Sequence, residues 1–291
     1  TLGFAIENAT WEGICREAHR IDLVGSGVRV VSAERIRDEF IKTLMAPDAP
    51  RGMELLDESG LLARFLPELS AMRGVSQNAW HSLDVWNHTM KALSEVSSNG
   101  SLALRLAVLF HDVGKPVTRM EDERGVHFYR HETVGADMTR EALCRLRMPL
   151  SVVREVVDLV ALHMRLGQVR PDWSDAAVRR LIRETGDRLE ALYQLTEADM
   201  SAMSADAKPT DIREVRRRIE TLNRQMDVNA VKSPLDGREI MELLGLQRGP
   251  LVGQAKAYLV NCILDGSLKP DDKEAARHTL EEWAQRQARC A

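Results

Sequence analysis

The chain has 291 residues, enough to bury a sizeable core and to form two or three subdomains. Its net charge of −4 argues against a surface that binds nucleic acid everywhere but leaves room for a local basic face, and with aromatics at only 4% the dominant Leu, Ala, Glu, Arg and Met suit helices more than sheets. The cysteines (Cys15, Cys144, Cys262, Cys290) form no CxxC, the best apolar run is broken by Arg105, and the start carries Glu7, Glu12 and Glu17, so the reading is a cytoplasmic protein with reduced thiols, no secretory leader and no membrane partner.

The pattern along the chain is helix after helix. ERIRDEFIKTLMA, Glu34 to Ala46, places Ile36, Phe40, Ile41 and Leu44 at helical spacing, with Ser32 as N-cap and Pro47 and Pro50 as stops. RGMELLDESGLLARFLPEL predicts a short helix, a break at Gly60 and a second turn ended by Pro67. Ser82 to Val96 reads as a helix and Leu102 to Phe110 as a buried one. Thr118 to Phe128, polar and containing Gly125, reads as a loop. His131 to Arg147 is helical up to Pro149, and Ser151 caps the apolar VVREVVDLVALHM. Pro171 and Ser174 open the next helix and Asp187 the one after. Composition shifts near Ala205 to the basic IREVRRRIETLNRQM, the SPLDG turn (Ser233 to Gly237), EIMELLGL and a last helical segment. No run alternates as a strand would. The expected fold is all-α in three segments, a neck at 1–72, a helical bundle at 73–205 and a helical tail at 206–291.

Most of the histidines fall between residues 81 and 163, each near a helix end or on a helix face. His81, Asp84 and His88, spaced by three and four, share one helix face, where a carboxylate can fix the tautomer of a neighbouring imidazole. In LRLAVLFHDVGKP an apolar helix ends in His111 and Asp112. Mid-helix neighbours differ by about 100° and cannot point the same way, whereas at a helix end they can straddle an ion. His131 opens a helix, His163 closes a buried one, and Asp199 sits among Leu and Ala. His88, His111, Asp112, His131, His163 and Asp199 form a mixed N/O donor set suited to one or two divalent ions: Mn, Fe, Co, Ni or Zn, with Mg admitted at the carboxylates. Such an ion acidifies water and neutralises phosphoryl charge; Asp112 would orient the attacking water and Lys115, one turn on, would oppose the phosphate. A lone His on an apolar helix is more often a satisfied core residue, so the conjunction carries the expectation.

Five elements in order, DVWNHT, LFHDVGKP, HFYRHETVGA, LVALHM and Asp199, resemble the HD-domain metal-dependent phosphohydrolases. The resemblance implies a first metal on His88, His111, Asp112 and Asp199, and His131 and His163 at a second metal or the substrate pocket; it gives His81 no role. The flanks LGFAIENAT, VSAERIRDEFIKTLM, GMELLDESGLLARFLPEL and SPLDGREIMELLGLQRGPLVGQAKAYL narrow it to bacterial tRNA nucleotidyltransferases, the CCA-adding enzymes, and their poly(A) polymerase relatives. This implies a neck in which Glu34, Arg35 and Arg37 support a nucleotide-binding head, and body and tail helices that bind the acceptor arm of tRNA. The family's head carries a glycine-serine turn followed by DxD carboxylates. Here GSG, Gly25 to Gly27, is followed by no acidic pair, so nucleotide transfer by this chain alone is not expected.

Arg213, Arg216 and Arg217 share a helix face, and Arg179 and Arg183 lie in a second cluster with Arg180. Arginine forks suit phosphate oxygens, and these two clusters are the expected RNA contacts; Glu214 and Glu220 interleave, which also fits a solvated face. Three functions follow: an HD phosphohydrolase acting on nucleotide phosphoesters or RNA ends, 2′,3′-cyclic phosphates included by resemblance; a non-catalytic tRNA- or RNA-binding body; and a partner subunit for a separately encoded nucleotidyltransferase head.

Overall fold

The computed structural model describes residues 5–290 apart from 23, 26–27, 30, 78–81, 98, 124, 205–206 and 208; His81 therefore lies outside the described residues. The chain forms two compact units, Thr1–Gln168 with Glu190–Ile212, and Val169–Leu189 with Arg213–Ala291, a division unlike the three segments expected from composition.

The first unit begins with α1 (Asn8–Glu17), a short antiparallel pair β1 (Val24–Gly25) and β2 (Val28–Arg29), then α2 (Ala33–Leu44), α3 (Ala49–Glu58), α4 (Leu62–Phe65) and α5 (Pro67–Ser70). Ser32 caps α2, its hydroxyl accepting from Arg35 N at 3.3 Å, and Ile36, Phe40 and Leu44 are buried along one stripe. Pro50 and Pro67 are not stops. Each sits in the first turn of its helix, α3 and α5, where a missing N–H leaves no bond unmade.

α6 (Val85–Glu95) starts later than Ser82 because Asp84 is its N-cap: Oδ1 accepts from Asn87 N at 2.7 Å and Oδ2 from Gly74 N at 2.7 Å. This corrects the expectation that Asp84 orients His88; its oxygens are spent on backbone. α7 (Leu102–Phe110) is buried from Ala103 onward, Arg105 included. The Arg105 guanidinium donates to Leu44 O at 2.8 Å, Ala46 O at 3.2 Å and Ser97 O at 3.2 Å, which satisfies the carbonyls at the end of α2.

After α8 (Lys115–Thr118) comes a second correction. The expected loop is an antiparallel hairpin, β3 (Arg119–Asp122) with β4 (Gly125–Phe128), in which Met120 faces His127. Its turn uses Gly125 at φ +110°, open to glycine and strained for other residues. α9 (His131–Arg145), α10 (Leu150–Leu162) and α11 (Met164–Gly167) follow. α10 packs on both α7 and α9 through Val153, Val156, Val157 and Val160. Burying each such side chain contributes roughly 1.5–3 kcal/mol. Ser151 does not cap α10, which starts at Leu150 behind Pro149 without a side-chain cap.

The chain enters the second unit with α12 (Asp175–Thr185), capped by Ser174, and returns to the first with α13 (Leu189–Ser201). The rest of the second unit is α14 (Ile212–Gln225), α15 (Gly237–Leu244), α16 (Pro250–Asp265) and α17 (Lys273–Cys290). Asp236 and Glu239 form a reciprocal capping box at α15. Among the described residues no helix is long and apolar enough to cross a membrane.

Candidate metal centre

Five helices of the first unit bring the donors together: α6 supplies His88, the end of α7 His111 and Asp112, the first turn of α9 His131, the end of α10 His163, and α13 Asp199. All four imidazoles and Asp112 are buried, and the Asp199 side chain is 22% exposed.

The imidazoles share one orientation. His111 Nδ1 lies 2.8 Å from Val108 O, His131 Nδ1 2.8 Å from Phe128 O, His163 Nδ1 2.7 Å from Val160 O, and His88 Nδ1 3.4 Å from Ala202 O. A carbonyl only accepts, so each Nδ1 carries the hydrogen and each Nε2 turns inward. His88 Nε2 is 2.8 Å from Asp199 Oδ1 and 3.8 Å from Asp112 Oδ2. His111 Nε2 is 3.2 Å from Asp112 Oδ2 and 3.5 Å from Asp199 Oδ1. On the other side of Asp112, His131 Nε2 is 3.5 Å and His163 Nε2 4.0 Å from Oδ1. Two overlapping triads result, His88–His111–Asp112 and Asp112–His131–His163, each with donor atoms within 4.8 Å of one another. Donors on a single ion at about 2.1 Å stand at most about 4.2 Å apart, so each triad is close to coordinating size.

The polar bookkeeping also fits a cation. His131 Nε2 and His163 Nε2 are 3.3 Å apart, two lone pairs facing each other unless a proton or a cation lies between. His111 Nε2 and Asp112 Oδ2 are buried with no hydrogen-bond partner. Lys115 Nζ reaches Asp112 Oδ2 at 2.7 Å as an ion pair, off the hydrogen-bonding direction of that oxygen. Burial lowers the His111 pKa, but Asp112 and Asp199 outweigh it and push it up to about 10. Burial and the like charges of His111 and His131 press His163 down to about 3. Burial raises the Asp112 carboxyl, yet His111 and Lys115 hold it well below the usual carboxylate range. The donor set is the N/O mixture of a divalent transition ion.

Two features hold this geometry. A Cβ on Gly114 would stand 2.3 Å from His131 O and 2.8 Å from Gly135 N, so only glycine lets the His111–Asp112 turn approach α9 so closely. Gln77 was not foreseen: its Oε1 accepts from Lys115 Nζ at 2.6 Å while its Nε2 donates to Leu83 O at 3.1 Å. Lys115 also lies over the Phe128 ring, 5.4 Å from its centroid.

The other expected residues lie elsewhere. Glu34 pairs with the Arg147 guanidinium at 2.6 Å, Arg37 donates to Arg147 O at 2.8 Å, and Arg35 is exposed. In the second unit, Arg183 donates to Val228 O at 3.2 Å and Val231 O at 2.9 Å, and half-buried Arg179 reaches Leu264 O at 3.4 Å. On α14, Arg216 pairs with Glu220 at 3.4 Å and Arg217 with Glu214 at 2.7 Å, with exposed Arg213 one turn before.

A helical bundle whose helix ends aim imidazoles and carboxylates at one point defines an HD-type protein. The HD domain family matches residues 79–209, a span that holds all six donors, and residues 3–72 match the family described as "Probable RNA and SrmB-binding site of polymerase A". Over 97% of its length the chain is 37% identical to the CC-adding tRNA nucleotidyltransferase of Thermus thermophilus, covering 64% of that protein. It is 33% identical over 98% of its length to the A-adding tRNA nucleotidyltransferase of Deinococcus radiodurans, covering 66% of it. The CCA-adding enzyme of Bacillus stearothermophilus, solved with CTP, shares the fold at TM-score 0.61 and 19% identity, over 99% of this chain and 60% of that one. The chain belongs to the tRNA nucleotidyltransferase family, as its RNA-binding and HD body. It spans just under two thirds of the length of these relatives.

Proposed function

We propose that the chain is the tRNA-binding body of a tRNA nucleotidyltransferase- or poly(A) polymerase-type protein, and that its HD centre hydrolyses phosphoesters of nucleotides or RNA ends. The observation that carries the hydrolase reading is the pair of triads sharing Asp112. In this reading His88, His111, Asp112 and Asp199 hold one divalent ion, and Asp112, His131 and His163 a second. Bound there, the metal supplies Lewis acidity and lowers the pKa of water. Asp112, facing both triads, orients the attacking water. Lys115, buried and fixed by Gln77, places a positive charge beside the phosphoryl oxygens. The tRNA reading is supported by the RNA-binding family over residues 3–72 and by the relatives. Nucleotide addition would reside in a head with DxD carboxylates, which residues 1–291 do not contain.

The test is elemental analysis of the purified chain together with hydrolysis of bis-p-nitrophenyl phosphate and 2′,3′-cyclic AMP. Asp112→Ala should remove the metal and lower kcat/KM by more than the roughly 10–100-fold typical of losing a group that merely orients a ligand, with helical circular dichroism intact. Turnover retained in that variant rejects the mechanism.

A further inference from the structure

The donors do not fill their surroundings. A cavity of about 460 Å3 opens outward from Asp112, Lys115 and Asp199 and is walled farther out by Met164, Met200 and Met203. Its size falls in the ~300–1,000 Å3 range of small-molecule sites. One end is ionic and the other apolar, the division made by a molecule with a phosphate at one end and a flat ring at the other.

Between the two ends lies Thr196, which is 2% exposed and lines this cavity. Its hydroxyl has no hydrogen-bond partner. That is unusual for a helical threonine in this protein: Thr43, Thr89, Thr139, Thr185, Thr221 and Thr279 each donate to the carbonyl four residues earlier. Leaving a buried hydroxyl unsatisfied costs about 1–3 kcal/mol, a cost that a ligand bonding to it would remove. Thr196, Asp199 and Met200 are spaced by three and four on α13, so the hydroxyl lies one turn from a carboxylate of the centre, about 5–6 Å between Cβ atoms. In a ribonucleoside 2′- or 3′-phosphoester, the vicinal ribose hydroxyl is the polar group at about that remove from phosphorus.

We propose that Thr196 is a substrate-binding residue that bonds this ribose hydroxyl, with the three methionines receiving the base. The HD centre thereby selects ribonucleoside 2′- or 3′-phosphoesters over their deoxy counterparts. The position of the phosphate rests on the phosphohydrolase reading; the pocket is tested by binding.

The experiment is calorimetric titration of the metal-loaded full chain with adenosine 3′-monophosphate and 2′-deoxyadenosine 3′-monophosphate. The wild type should favour the ribonucleotide by roughly tenfold, the scale of one hydrogen bond. Thr196→Val should reduce that preference to near one, and Thr196→Ser, which keeps the hydroxyl, should retain it even where the valine variant folds poorly. No preference in the wild type, no binding of either nucleotide, or a preference untouched by Thr196→Val each overturns the pocket. Hydrolysis of bis-p-nitrophenyl phosphate is measured alongside. If it is absent while the preference is present and lost in Thr196→Val, the pocket stands and the hydrolase reading falls.

Discussion

At the scale of single residues, the centre depends as much on a missing side chain as on the donors. Gly114 has an ordinary helical conformation, so alanine there meets no backbone penalty, only the 2.3 Å approach to His131 O. Gly114→Ala must therefore push α9 away from the His111–Asp112 turn. Overpacking of this kind costs about 1–3 kcal/mol, and the displacement falls on His131 and on the triad it shares with Asp112 and His163. The expected outcome is a lowered Tm with a weakened metal isotherm; a variant with wild-type metal affinity would show that this approach does not hold the site. The donors themselves were legible because imidazoles and carboxylates recur at helix ends in one order. Asp84 misled because a carboxylate one turn before a histidine serves equally well as an N-cap, and only the path of the backbone at Gly74 decides. Gln77 and Thr196 left no signal: a lone amide and a lone hydroxyl gain meaning only from what folds against them.

At the scale of elements, long amphipathic helices could be read from periodicity, and short polar strands could not. The β3–β4 hairpin is built from Arg-Met-Glu-Asp and Gly-Val-His-Phe, residues with little strand preference apart from Val and Phe, and its register comes from pairing across the turn. On α14 the stripe of Val215, Ile219 and Leu222 is buried and the arginines stand on the other side. Their partners are on the same helix, at 43–69% exposure, and such pairs are worth only about 0.2–0.5 kcal/mol. Phosphates can displace them at little cost. If α14 contacts RNA, Arg216→Glu with Arg217→Glu should weaken tRNA binding and flatten the plot of log K against log salt by about 0.7–0.9 for each phosphate no longer neutralised. An unchanged slope, with circular dichroism confirming an intact helix, would dismiss this face.

At the scale of the whole molecule, the chain leaves the first unit after Gln168, returns at Glu190 and leaves again after Ile212. A shift of composition near Ala205 marks a change in surface chemistry; it carries no record of such an excursion, which is a matter of which apolar faces meet. The six donors all lie in the first unit, while α14 belongs almost wholly to the second. Metal binding and the proposed RNA contact of α14 should therefore respond separately. Because the donors come from five helices, a bound ion ties together segments more than a hundred residues apart, from His88 to Asp199. An ion present at about a hundred times its Kd adds about 2.7 kcal/mol to the state that binds it. For a domain of 150–250 residues each kcal/mol moves Tm by about 2–4 °C. Chelation should thus lower the melting temperature by roughly 5–11 °C and abolish phosphoester hydrolysis, yet leave the tRNA affinity and its salt slope unchanged. Calorimetry and filter binding on the same chelated sample check both halves. A melting temperature indifferent to chelation would mean that the donors do not hold a metal, and a collapse of RNA binding on chelation would mean that centre and RNA surface are one system.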